Sequence, residues 1–169
     1  METIDCIKTR RSVRTFTAEP VDHELTDLLI AAAVYAPSGK NGQPWRFAVI
    51  RDSSHIHEIS SMSGNKNRWI QKAPCLIAVF LDRALSYDYV KDIQSTGAAI
   101  QNILLAAYST GLGTCWIGGI LDDSEKIKKI MCISSESLEL MALVAIGHAS
   151  IGPLQRENRD IKEFVINHG

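Results

Sequence analysis

The chain lacks an apolar run that could cross a bilayer: the longest, residues 28–36, is under half the roughly 20 residues required. It also lacks a start that reads as a secretion signal, because Glu2 and Asp5 sit where a basic and then an apolar segment would be needed. No charge of one sign dominates. Lys plus Arg number 18 against 19 for Asp plus Glu, so no basic field recruits nucleic acid or an anionic membrane surface. These absences point to the cytoplasm and to small-molecule partners, with no nucleic acid and no membrane.

Cysteine is sparse and unpaired. Cys6, Cys75, Cys115 and Cys132 form no Cys-x-x-Cys motif, and the apolar neighbours of Cys75 and Cys115 predict buried free thiols. His23, His55, His57, His148 and His168 form no ligand array, so no metal is expected. Gly-x-Ser-x-Gly is missing, and no paired carboxylates suggest hydrolysis. Gly111-Leu112-Gly113 opens like a dinucleotide fingerprint, but Trp116 stands where its third glycine belongs. With no repeat or low-complexity linker, and 46% hydrophobic residues among 169, the chain reads as a single domain over residues 1–169.

The informative stretches begin at Arg10-Arg11-Ser12-Val13-Arg14, after a short helix over residues 2–9. Arg10 and Arg14 share a face in a strand and nearly share one in a helix, and Ser12 joins them only if the segment is extended. Converging guanidinium groups repel unless an anion lies between them, and their planar fork fits a phosphate. The alternative is a pair of surface arginines bridging to Asp or Glu elsewhere.

A helix capped by Asp22 and apolar at Val21, Leu25, Leu28, Leu29, Ala32, Ala33 and Ala36 runs to Pro37. There two prolines and two glycines stop regular structure, while Ser38, Asn41 and Gln43 offer short hydrogen-bonding groups to the edge of a planar ligand. An ordinary helix-to-strand connection is the competing reading. A strand over 45–51, a helix over 53–61 and a polar stretch over 64–72 follow.

Residues 75–81 are apolar at every position, which predicts a central strand covered by helices on both faces. The helix predicted over 87–110 is apolar nearly all round in its second half and must be buried all round, either by a second copy of the chain or within one subunit. Gly118 and Gly119, without Cβ atoms, let the backbone lie against a flat ring with bare N–H donors. An amphipathic helix over 122–131, capped by Asp122 or Asp123, leads to a second buried strand over 138–147. Beyond Pro153 the tail holds Arg156 and Arg159, and Phe164-Val165-Ile166 could add a strand to a sheet edge.

Taken in order, Arg10-Arg11-Ser12-Val13-Arg14-Thr15-Phe16, the loop over 36–47, the segment over 111–119 and the late arginine resemble the FMN-dependent nitroreductase family nearly end to end. The resemblance implies an α+β sandwich, with a mostly antiparallel sheet flanked by helices, in an intertwined homodimer with two FMN sites at its interface. The C-terminal strand is implied to cross to the partner. By the same resemblance Arg10 and Ser12 are phosphate and ribityl contacts, Arg14 lies at the flavin pyrimidine edge, and Arg11 sits within the motif. Pro37, Ser38 and Gly39 of the other subunit line the flavin, with Asn41 and Gln43 in support. Gly118 and Gly119 present N–H groups to flavin N5 and O4, and Arg159 is a second phosphate arginine.

The implied activity is hydride transfer from NADH or NADPH through FMN to a flat acceptor such as a nitroaromatic or quinone. A catalytic residue is not required, since the cofactor carries the chemistry and a guanidinium near N1 and O2 favours its reduced form. Other chemistry on the same fold, dehalogenation or flavin breakdown, and flavin binding without turnover are the alternatives. Two departures stand out: the connection over 82–87 is short where larger members insert a helical segment, and Gly118 and Glu157 replace residues that are acidic and basic, respectively, in some members.

Overall fold

A computed structural model describes residues 1–62, 64–152 and 159–167. Its centre is a four-stranded sheet in the order β1-β2-β4-β3, formed by β1 (Trp45–Ile50), β2 (Cys75–Asp82), β3 (Gly113–Ile117) and β4 (Leu138–Gly147). Every pairing is antiparallel. Helices α1 (Thr3–Thr9), α2 (His23–Val34), α3 (Ser53–Met62), α4 (Tyr89–Ser109) and α5 (Ser124–Ile130) surround it, and a 3-10 helix spans Asn65–Lys72. No helix among the described residues is long and apolar enough to cross a membrane.

Strand alternation divides the core in two. Cys75, Ile77 and Val79 of β2 join Leu29 and Ala33 of α2 and Ile100, Ile103 and Ala107 of α4. Leu76, Ala78 and Phe80 face the other way, onto Ile56 and Ile59 of α3 and Ile127 of α5. Both faces of β2 are therefore covered, as its unbroken apolar run requires. A bulge interrupts the β2–β4 ladder: Val79 pairs with Ala142 but Phe80 pairs with Leu140, leaving Met141 as an extra residue.

The 21-residue α4 is buried along Asp92, Thr96, Ala99, Ile100, Ile103, Leu104 and Ala107, but Ala98, Leu105 and Ala106 remain half-buried in the single chain. Its first turn holds a buried carboxylate. Asp92 Oδ2 accepts hydrogen bonds from Ser86 Oγ at 2.7 Å and from the N–H groups of Tyr87 and Asp88 at 3.1 and 3.2 Å. Asp92→Ala strands these donors, so the urea midpoint should fall by the equivalent of about 2 kcal/mol in an equilibrium unfolding titration.

Two expectations are corrected in detail. The stretch after α4 contains the strand β3, because β4 offers it a hydrogen-bonding edge. The fifth helix begins at Ser124 after a 3-10 turn over Leu121–Asp123, and neither Asp22 nor Asp123 makes a side-chain cap bond. In the described tail, Phe164, Val165 and Ile166 form no strand on this chain's own sheet; a 3-10 turn spans Ile161–Glu163, and Ile161, Phe164 and Ile166 are exposed.

Cys6, Cys75 and Cys115 are buried free thiols, while Cys132 is exposed. Burial pushes the Cys75 thiol up to about 11 against the weaker opposing pull of Arg51. A thiol reagent applied to native protein should accordingly titrate Cys132 at once, and the other three only on unfolding.

Candidate functional site

The backbone leaves α1 at Arg10 in an extended conformation and runs beside β3, where Ser12 forms a parallel bridge with Thr114 and the Val13 N–H donates to the Thr114 carbonyl at 2.8 Å. Farther on, Phe16 bridges to Ala149 and the Thr17 N–H donates to the His148 carbonyl. Gly113 permits this close approach: a Cβ there would lie 2.9 Å from three atoms of the Val13 side chain. Extended geometry is the case in which Arg10, Ser12 and Arg14 share one face.

All three act on the Cys115 thiol. Burial raises the Cys115 pKa, opposed by Arg14, by a hydrogen bond from Ser12 and by Arg10. The Arg14 guanidinium also lies 5.9 Å from the ring centroid of Trp69, which sits 6.4 Å from that of Phe16. Among the described residues no carboxylate forms an ion pair with Arg10 or Arg14. Among the described residues the reading in which these arginines bridge to acidic residues is therefore not met, and an anion is the natural guest.

Arg11 is placed differently. Its Nη1 donates to the carbonyls of Lys8, Thr9 and Arg10 at 3.0, 2.9 and 2.8 Å, and so satisfies the C-terminal end of α1. A cleft of about 570 Å³ opens beside the segment, with Ser12, Arg14, Tyr108, Leu112, His148 and Ser150 among its walls. Its size is that of a small-molecule site.

Gly118 and Gly119 follow β3, both exposed, and a Cβ on either would meet nothing within 4 Å. Packing inside this chain gives no reason for glycine there, which leaves the bare backbone open to a flat ligand. From Thr114, beside Ser12, to Gly118 the chain advances four residues, about 13 Å at strand rise. That reach suits an elongated group with an anion at one end and a ring at the other.

The loop over 37–43 is built on left-handed backbone. Lys40, Asn41 and Gln43 have φ of 52°, 55° and 47°, conformations that cost about 1 kcal/mol or more each. Ser38 Oγ accepts the Gln43 N–H at 3.1 Å, and Gln43 Nε2 donates to Asn41 Oδ1 at 3.0 Å. Pro37 is exposed, and Gly39 is in contact with Tyr87 just before α4.

The arginine segment and this loop do not meet within one chain. The loop sits at the N-terminal end of α4, and the cleft with Arg14 lies at its C-terminal end with Tyr108 and Gly111. A helix of 21 residues separates them, about 30 Å in length. Arg159 is exposed in the described tail, while Arg156 and Glu157 lie outside the described residues. From the sequence Cys115 reads only as a buried thiol, and neither Trp69 nor Tyr87 carries a signal beyond a lone tryptophan in the polar stretch over 64–72.

A model of the nitroreductase family matches residues 7–63 and 53–148. The chain belongs to that family. Among its nitroreductase relatives, a protein of Methanothermobacter thermautotrophicus assigned as an NADH dehydrogenase/NAD(P)H nitroreductase is 31% identical over 159 residues, covering 93% of this chain and 82% of the relative. The FMN reductase [NAD(P)H] of Bacillus subtilis is 30% identical over 165 residues, covering 87% of this chain but 66% of its own greater length. A protein of Desulfovibrio desulfuricans assigned as a nitroreductase and crystallised with FMN superposes with a TM-score of 0.91 at 34% identity, covering 100% of this chain and 98% of the other. The nitroreductase α+β fold is thus established for this sequence.

Proposed function

We propose that the chain is an FMN-dependent oxidoreductase that passes hydride from NADH or NADPH to a flat acceptor such as a nitroaromatic or quinone, working as an intertwined homodimer. The observation that carries this reading is the extended segment beside β3, which puts Arg10, Ser12 and Arg14 on one face with no carboxylate paired to either arginine among the described residues.

FMN, when bound, supplies the two-electron chemistry. Arg10 and Ser12 hold its phosphate and ribityl hydroxyls by charge-assisted and neutral hydrogen bonds, with Arg159 as a second phosphate cation. Arg14 places positive charge at the pyrimidine edge. The backbone at Gly118 and Gly119 donates to the ring, and the strained loop with Pro37, Ser38 and Gly39 closes its other side, supported by Asn41 and Gln43. Arg11 acts through the backbone by fixing the end of α1.

Two observations favour a dimer. The loop and the arginines stand at opposite ends of α4, so one flavin can touch both only if the loop comes from a second copy. The exposed Ile161, Phe164 and Ile166, together with the half-buried Ala98 and Leu105, are apolar groups that a partner would cover. β1, at the margin of the sheet, has one edge unpaired and is the place where Phe164, Val165 and Ile166 of the partner would add a strand.

Anaerobic titration of the FMN-loaded protein with NADH and with NADPH tests the activity. Bleaching of the flavin by one of them, followed by reoxidation with a nitroaromatic or quinone, is the expected result. Normal FMN binding with no bleaching by either nicotinamide would select a binding role, and aerobic loss of the flavin with a fragment product would select flavin breakdown.

A further inference from the structure

The connection from β2 to α4 is short, and it is fixed rather than loose. Asp82 accepts the Ala84 N–H at 3.1 Å, a 3-10 turn spans Arg83–Leu85, and the buried Asp92 carboxylate collects Ser86 Oγ and the N–H groups of Tyr87 and Asp88. Held in this way, Tyr87 projects over the loop at residues 37–43.

The contact is close. A Cβ added to Gly39 would overlap the Tyr87 hydroxyl and lie 2.5 Å from Cε1, so the phenol edge occupies the space that glycine leaves open. Lys40 Nζ lies over the ring at 4.9 Å from its centroid and Lys91 Nζ at 5.5 Å, while Tyr87 as a whole stays 40% exposed. The two ammonium groups are not equivalent. Lys91 is paired with Asp88 at 3.1 Å, and Asp92 is spent on the connector below, whereas Lys40 has no ion pair among the described residues.

We propose that Tyr87 and Lys40 form the acceptor-facing wall of the flavin site: Tyr87 offers a rigid ring for stacking, and Lys40 supplies the uncompensated cation that favours flat aromatic acceptors bearing a carboxylate. This inference rests on the proposed function, in which the loop carrying Gly39 lines the flavin. A stacking ring gives contact area at low entropic cost, and an unpaired cation beside it separates anionic from neutral ligands of the same shape. The short connector thereby takes over part of the wall that an inserted segment would otherwise supply.

The test is equilibrium binding of 4-nitrobenzoate and of the neutral 4-nitrobenzyl alcohol to the oxidised, FMN-loaded protein, read from the flavin difference spectrum. The wild type should bind the anion about 5-fold more tightly, Lys40→Gln should bring the two affinities together, and added salt should narrow the gap. Tyr87→Ala should weaken both ligands about 5- to 10-fold, and Tyr87→Phe should restore them, because the ring rather than the hydroxyl makes the stack. Equal affinities in the wild type, a preference that survives Lys40→Gln, or unchanged binding in Tyr87→Ala would overturn the proposal. Because no turnover is needed, failure of nicotinamide to bleach the flavin defeats the oxidoreductase reading without touching this readout. A colourless protein would defeat both.

Discussion

Arg10→Glu combined with Arg14→Glu should yield a protein that purifies without yellow colour. Each arginine offers hydrogen bonds to a charged or polar edge of FMN, and such bonds contribute about 1.5–3 kcal/mol apiece. Losing both removes roughly 3–6 kcal/mol, or about two to four decades of affinity, before the repulsion from the new carboxylates is counted. Neither arginine is tied to a carboxylate among the described residues, so the fold should not suffer. The FMN dissociation constant and the urea midpoint, measured on the same preparation, separate the two effects. A shift of less than tenfold in FMN affinity would place the phosphate elsewhere.

Two inactive variants should restore one another when mixed in a single dimer. Gly39→Val puts a branched side chain into the space occupied by Tyr87 and so displaces the loop proposed to line the flavin; its homodimer should lose at least 100-fold in turnover, as should that of the double arginine variant. In a mixed dimer one site inherits both lesions, while the other combines intact arginines from one copy with an intact loop from the other. Random mixing makes about half the dimers mixed and leaves about a quarter of wild-type sites working. Activity regained on co-refolding, in proportion to the mixed species, is the expected observation; a mixture as dead as its parents would confine each site to one chain.

How far the fold was readable depended on whether local pattern or tertiary partners decided each element. Residues 75–81 needed no partner to be recognised, because a run apolar at every position has to be covered on both faces. β3 was opaque for the opposite reason. Gly113, Thr114, Cys115, Trp116 and Ile117 look like a glycine-bordered connector, and they become a strand only between β4 on one side and the segment carrying Ser12 on the other.

The candidate site divides along the same line. Arg10 and Arg14 share a face in either backbone state, so their convergence was legible, while the arrival of Ser12 beside them waited on the bridge to Thr114. The loop's polar residues were visible, but not that Lys40 and Gln43, neither of them glycine, would take left-handed backbone; Ser38 Oγ, bonded to the Gln43 N–H, fixes that shape from outside the local sequence preference. Trp69 and Tyr87 reach the site through folded geometry alone, Trp69 beside Arg14 and Tyr87 against Gly39.

The unpaired Met141 has a consequence for how this sheet can change length. With the bulge kept, deleting any of residues 142–146 would turn the preceding part of β4 over, carrying Leu140 toward α4 and Glu139 toward α3. Removing Met141 alone instead leaves Leu140 opposite Phe80 and Ala142 opposite Val79, with every side chain on its present side. Position 141 is thus the place in this strand where evolution can shorten the chain by an odd number without inverting what lies ahead of it.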